Sequence, residues 1–113
     1  MAFHMKKLLL VLSIAFAASP AKALTNAEQV GVTLATFDVC YVKLNGWHNY
    51  AEGFKWGRDM LLDKVEAMPY TSRMQAIDMG EAIQTELNSK ITNGSDALKF
   101  CEMQYEHYQL GTY

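Results

Sequence analysis

The chain has 113 residues, of which 50% are hydrophobic and 19% are charged, and its formal net charge is −2. This composition is too apolar for an intrinsically disordered protein, and the length is too small for a two-domain enzyme. The charge balance also lacks the basic excess that is typical of nucleic-acid-binding proteins.

The first segment, residues 1–23, has the composition of a secretory signal peptide. Two lysines precede an apolar run over residues 8–18, and residues 21–23 form a small-residue cleavage site of the A-x-A type. The apolar run is shorter than the roughly 20 residues that a membrane-spanning helix needs. We therefore predict export to the periplasm or beyond, no membrane insertion after cleavage, and one helical domain over residues 24–113.

Cleavage would change the charge of the protein. The removed segment holds three lysines and no acidic residue, which leaves seven basic and 12 acidic side chains, a net charge of −5. An acidic domain repels phosphate backbones, so the charge argues further against a nucleic-acid partner.

Two cysteines remain, Cys40 and Cys101. In an exported protein such a pair is typical of a disulfide, and no C-x-x-C motif indicates a redox or zinc site. We therefore predict a structural disulfide that closes most of the mature chain.

Start and stop signals predict four helices. The first begins with a capping box formed by Thr25 and Glu28 and ends at Asn45-Gly46, where glycine can adopt a left-handed conformation. The second begins with a similar box at Asn49, with asparagine in place of serine or threonine, and ends before Pro69.

The third predicted helix opens at Ser72, and the turn Asn93-Gly94 separates it from the fourth. Ser95 is the expected cap of the fourth helix, and Gly111 is its expected end. The predicted fold is all-α, a small antiparallel bundle of about four helices in which the disulfide joins helices one and four.

Three features of this bundle suggest a binding surface. Helices one and four each carry a second apolar stripe, which either is buried within the monomer or faces a partner. Helix two carries a tryptophan within an acidic face, and a second tryptophan lies in the turn before it; tryptophan is enriched at binding hot spots but also caps helix bundles. The candidate partner-binding residues are Trp47, Trp56, Phe100, Met103, His107 and Leu110.

A metal carrier is the alternative. Five methionines and two histidines remain after cleavage, and thioether with imidazole ligands suits Cu(I). No clustered metal motif occurs, however, and methionine at helical spacing is more typical of a hydrophobic core. No catalytic motif occurs either, so we predict no enzyme activity and no cofactor.

The size, the signal peptide, the helices and the single long-range disulfide are similar in outline to periplasmic acid-stress chaperones and to small exported immunity proteins. No matching motif supports either comparison, so no functional residue is transferred. The sequence therefore predicts a small exported helical protein that binds a protein partner or a second copy of itself, as a chaperone, an inhibitor or an immunity-type protein.

Overall fold

The computed structural model describes residues 23–111, so most of the predicted signal peptide lies outside the described residues. Within this range the chain forms four helices and no strand, which confirms the predicted all-α bundle. The helices are α1 (Asn26–Leu44), α2 (Tyr50–Glu66), α3 (Tyr70–Lys90) and α4 (Gly94–His107). No helix among the described residues is long and apolar enough to cross a bilayer.

The start of α1 is capped as predicted. The Thr25 hydroxyl accepts a hydrogen bond from the backbone N–H of Glu28 at 3.1 Å, and the Glu28 carboxylate accepts one from the backbone N–H of Thr25 at 2.9 Å. The helix ends in a turn where Gly46 has a φ of 77°, in the left-handed region that favours glycine.

The predicted second capping box is wrong. Asn49 itself has helical backbone angles, so its side chain makes no capping hydrogen bond. The imidazole of His48 replaces it, because Nδ1 accepts a hydrogen bond from the backbone N–H of Tyr50 at 3.2 Å.

The starts of α3 and α4 also differ from prediction. Helix α3 begins at Tyr70, directly after Pro69, so Ser72 lies inside its first turn. Asn93 rather than Ser95 caps α4, and its side-chain oxygen accepts a hydrogen bond from the backbone N–H of Asp96 at 2.8 Å.

The end of α4 is a left-handed turn centred on Gln109, not on Gly111 as predicted. Gln109 has a φ of 55°. The backbone N–H of Leu110 donates to the carbonyl of Tyr105 at 3.0 Å, and that of Gln109 donates to Glu106 at 3.1 Å. This pair of bonds is a Schellman motif, and it turns Leu110 back onto the bundle.

Helix α1 is the central element of the bundle. It packs closely against α3 on one side and against α2 on another, whereas α2 and α3 hardly touch each other. The close approach to α3 requires Gly31, because a methyl group there would overlap the carbonyl oxygen of Ala76. This central position explains only part of the second apolar stripe on α1, since Ala35 and Val39 are buried whereas Val42 is 62% exposed.

The predicted disulfide between Cys40 and Cys101 is confirmed. It joins α1 to α4, with 5.6 Å between the two Cα atoms, and both residues are fully buried. The cysteines lie in the main core with large side chains from all four helices and the segments that follow α3 and α4. Its largest members include Phe37, Leu44, Phe54, Ile83, Leu87, Ile91, Phe100 and Leu110.

Candidate binding surface

Helix α2 exposes two large side chains on the flank that faces the end of α4. Its inner residues, among them Phe54 and Leu61, pack into the core. Trp56 and Met60 are one turn apart and lie beside this inner face, with 44% and 52% of their surfaces exposed. They are therefore the outermost apolar groups on this flank of α2.

These two side chains border an open groove of about 240 Å³, here called the Trp56 groove. Gly57 allows the Phe37 ring to pack closely against α2 at the base of the groove, because a methyl group at this position would lie 2.7 Å from that ring. The groove is lined by Thr33, Phe37, Trp56, Gly57, Met60, Leu61, Tyr108 and Leu110.

Tyr108 and Leu110 bring the end of α4 to the groove. The Tyr108 ring packs edge-on against Phe37 at 5.0 Å between centroids, and its hydroxyl lies 3.5 Å from that of Thr33. The contact between Tyr108 and Thr33 places the end of α4 at the level of Thr33, and the preceding turns of α1 line an open groove on this side.

A second groove of about 520 Å³, the foot groove, continues from this point toward the start of α1. It shares Thr33 and Leu61 with the Trp56 groove and extends to Met68 and Pro69. The two grooves form one track along α2. The ten residue-to-residue steps from Trp56 to the end of α2 at Glu66 span about 15 Å, which is nearly three turns of a helix.

Acidic side chains flank the track. Glu52 lies one turn before Trp56 and Asp63 lies two turns after it, on the same side of α2. Neither carboxylate is within 4.0 Å of a basic group in the described part of the chain, whereas Asp59 is paired with Lys55 and Arg58.

The end of this flank at the start of α2, here called its upper end, is also acidic. The Tyr50 ring stacks on the Tyr105 ring of α4 at 4.1 Å, and its hydroxyl donates to Glu102 at 3.5 Å. Partial burial and then the negative charges of Glu102 and Glu106 raise the pKa of Tyr50 above its ordinary value. Lys64 is the one basic residue in the lining of either groove.

The structure brings together only part of the predicted partner-binding set. Trp56 and Leu110 line the same groove, and His107 lies next to it, with its ring 4.7 Å from that of Tyr108. Leu110 is nevertheless buried, so it forms part of the groove wall and does not project from it.

The remaining residues of that set lie elsewhere. Phe100 is fully buried in the core, contrary to its prediction as a partner contact, because this part of α4 faces inward, whereas His107 and Tyr108 at the end of the helix are exposed. Met103 is half-buried and lines neither groove. Trp47 is 55% exposed, but it lies against Gly94 at the start of α4, at the opposite end of that helix from Trp56.

Sequence reasoning missed a third groove, of about 300 Å³, between α2 and α3. Leu34, Leu62 and Ile77 give it an apolar lining, and a polar cluster lies at one end. In this cluster Asp38 of α1 accepts hydrogen bonds from Arg58 of α2 at 3.3 Å and from Gln84 of α3 at 2.9 Å.

Arg58 links this cluster to its surroundings. Its guanidinium also bonds Asp59 and lies 4.6 Å from the centre of the Tyr41 ring. The hydrogen bonds to both aspartates raise the pKa of Arg58 in spite of its partial burial, which by itself lowers the pKa. Each polar side chain of the cluster therefore has a hydrogen-bond or ion-pair partner, as expected for partly buried polar groups that link three helices.

No group of three or more histidine, cysteine, aspartate or glutamate residues in the described range has a metal-binding arrangement. A Cu(I) carrier would use methionine ligands, and it stays a prediction from composition alone. Comparison with protein-family models, with curated proteins and with solved structures finds no match to this chain.

Proposed function

We propose that this protein is an exported, non-enzymatic binding protein that holds a protein partner along the Trp56 and foot grooves. The observation that carries the proposal is the exposure of Trp56 and Met60 beside an open apolar groove. Tryptophan and methionine are enriched in protein interfaces, and an exposed apolar patch beside a concave surface is typical of an interaction site.

The rest of the structure supports a rigid binding module. The disulfide fixes α4 to α1, so the wall of the Trp56 groove that Tyr108 and Leu110 form is held in place before a partner arrives. Preorganisation of this kind reduces the entropy cost of binding. The disulfide also fits an oxidising compartment, in agreement with the predicted signal peptide. Chaperones, inhibitors and immunity-type proteins all belong to this functional class.

Site-specific photocrosslinking in the native host tests the proposal. A photoreactive amino acid replaces Met60, and a matched variant carries it at Val42, which is 62% exposed on α1 and lines none of the three grooves. We expect a discrete crosslinked protein species from position 60 and none from position 42. Equal crosslinking from both positions, or none from position 60, would refute the proposal.

A further inference from the structure

The charges around the Trp56 groove point to the chemistry of the partner. We propose that the occupant of the Trp56 and foot grooves is a basic amphipathic helix of about three turns, with its apolar stripe in the grooves and its cationic side chains against the acidic flank of α2. This inference rests on the proposed function and specifies the partner of the same surface.

The first argument is the shape of the track. It is open along about 15 Å of α2 and is bounded by the end of α4 on one side and by Met68 on the other. An amphipathic helix in a groove is a common mode of peptide recognition, and it uses apolar residues at positions i, i+3 or i+4, and i+7. A partner helix there would occupy the side of α1 and α2 that a longer α4 would cover.

The second argument is charge. Glu52 and Asp63 flank the track without a basic partner among the described residues, and Glu102 and Glu106 add negative charge at its upper end. Lys64 is the one opposing charge in the lining. A partner with lysine or arginine beside its apolar stripe would pair with these carboxylates and would be steered to the surface by the net charge of −5 that residues 24–113 carry.

The same charges argue against a second copy as the occupant. A symmetric dimer contact places the same patch on both sides of the interface. A twofold axis close to Trp56 would therefore bring Glu52 and Asp63 of one copy near the same acidic side of the other. Like charges across an interface are unfavourable, so the acidic flank selects a basic partner over self-association.

Two synthetic peptides test the inference. Both are three turns long and are cross-linked between successive turns to hold the helix. They share the same leucine stripe, but one has lysine and the other glutamate at the polar positions, and each carries a fluorescent label. Binding to the full protein is measured by fluorescence anisotropy at two salt concentrations. We expect the lysine peptide to bind at least tenfold more tightly than the glutamate peptide, and we expect added salt to weaken its binding.

Variants of the protein test which of its residues account for binding of the lysine peptide. The double variant Glu52→Gln/Asp63→Asn removes two charges from the flank, and Asp78→Asn/Glu81→Gln removes two from α3, so both change the net charge by the same amount. We expect the first pair to weaken binding of the lysine peptide about fivefold, as two exposed ion pairs would, and the second by less than twofold. Trp56→Ala should weaken it at least tenfold, and circular dichroism checks that each variant is folded.

Equal affinity for the two peptides, binding of neither, or equal loss in the two double variants would overturn the inference. A concentration-dependent dimer of the protein alone that Trp56→Ala abolishes would overturn it as well, in favour of a second copy. These failures differ from failure of the proposed function, since a crosslink from position 60 would still show a partner at this surface.

Discussion

Replacement of Gly31 by alanine tests the close contact between α1 and α3. At this position α1 crosses α3, and the added methyl group would overlap the Ala76 carbonyl oxygen. It would also lie 3.0 and 3.1 Å from the carbonyl carbon and the Cα atom of Ala76. All of these are backbone atoms within a helix, so no side-chain rotation can relieve the overlap, and the two helices must separate.

The size of the effect follows from two opposing terms. Overpacking of a well-packed contact costs about 1–3 kcal/mol, and the upper end applies because both neighbours are rigid helices. Alanine regains about 1 kcal/mol over glycine as a helix former. We therefore expect Gly31→Ala to lower the free energy of unfolding by about 2 kcal/mol, which for a domain of this size lowers Tm by roughly 8–16 °C.

Thermal and urea unfolding, followed by circular dichroism, measure this difference, and Gly80→Ala is the matched control. A methyl group at Gly80 would lie 3.3 Å from the Gly31 carbonyl oxygen, a tight contact that a small shift relieves. The gain in helix propensity should offset it, so we expect a change of less than about 1 kcal/mol. If Gly31→Ala is as stable as the wild type, the close crossing of α1 and α3 is wrong.

Three further variants test local features. Cys40→Ser should lower the free energy of unfolding by about 4 kcal/mol through loss of loop closure, and an unchanged denaturation curve would show that the disulfide does not contribute. Gln109→Gly should be more stable than Gln109→Ala by about 1 kcal/mol, because only glycine adopts a positive φ without strain; equal stability would exclude a left-handed turn there. Glu102→Gln should lower the raised pKa of Tyr50 toward 10, as measured by phenolate absorbance, and an unchanged pKa would contradict the contact. The pKa of Tyr50 is higher in the folded protein than in the unfolded chain, so its contribution to the free energy of unfolding is complete below pH 10 and declines as the pH rises further. In Glu102→Gln this decline should begin at the same pH and should be complete at a lower pH than in the wild type.

Features encoded within a few residues were predictable from the sequence. The capping box at Thr25 and Glu28 depends on contacts three residues apart, and it forms as predicted. The pairing of the cysteines was predictable because the chain has only two. At Asn49 the local reasoning failed, since an equivalent bond from the neighbouring His48 replaces the expected cap.

Features that depend on how the helices meet were not predictable in this way. The periodicity of α4 showed two apolar stripes, but only the packed bundle shows that Phe100 is buried. The bond of Asp38 to Arg58 and Gln84 joins residues 20 and 46 positions apart, and no sequence spacing indicates it. The exposure of Trp56 is predictable from its place on the acidic face of α2, whereas its groove is formed by residues of α1, α2 and the end of α4 that only the packed bundle brings together.

The measurement that tests the central claim most directly is native mass spectrometry of the protein purified gently from its own host, as wild type, Trp56→Ala and Trp47→Ala. Each variant removes one tryptophan side chain. The two tryptophans are exposed to a similar degree, but Trp47 lies near the start of α4 and Trp56 lies near its end. We predict a stoichiometric protein partner on the wild type and on Trp47→Ala, and its loss from Trp56→Ala. A bare monomer in all three samples, or a partner retained by Trp56→Ala, would contradict a binding surface at Trp56.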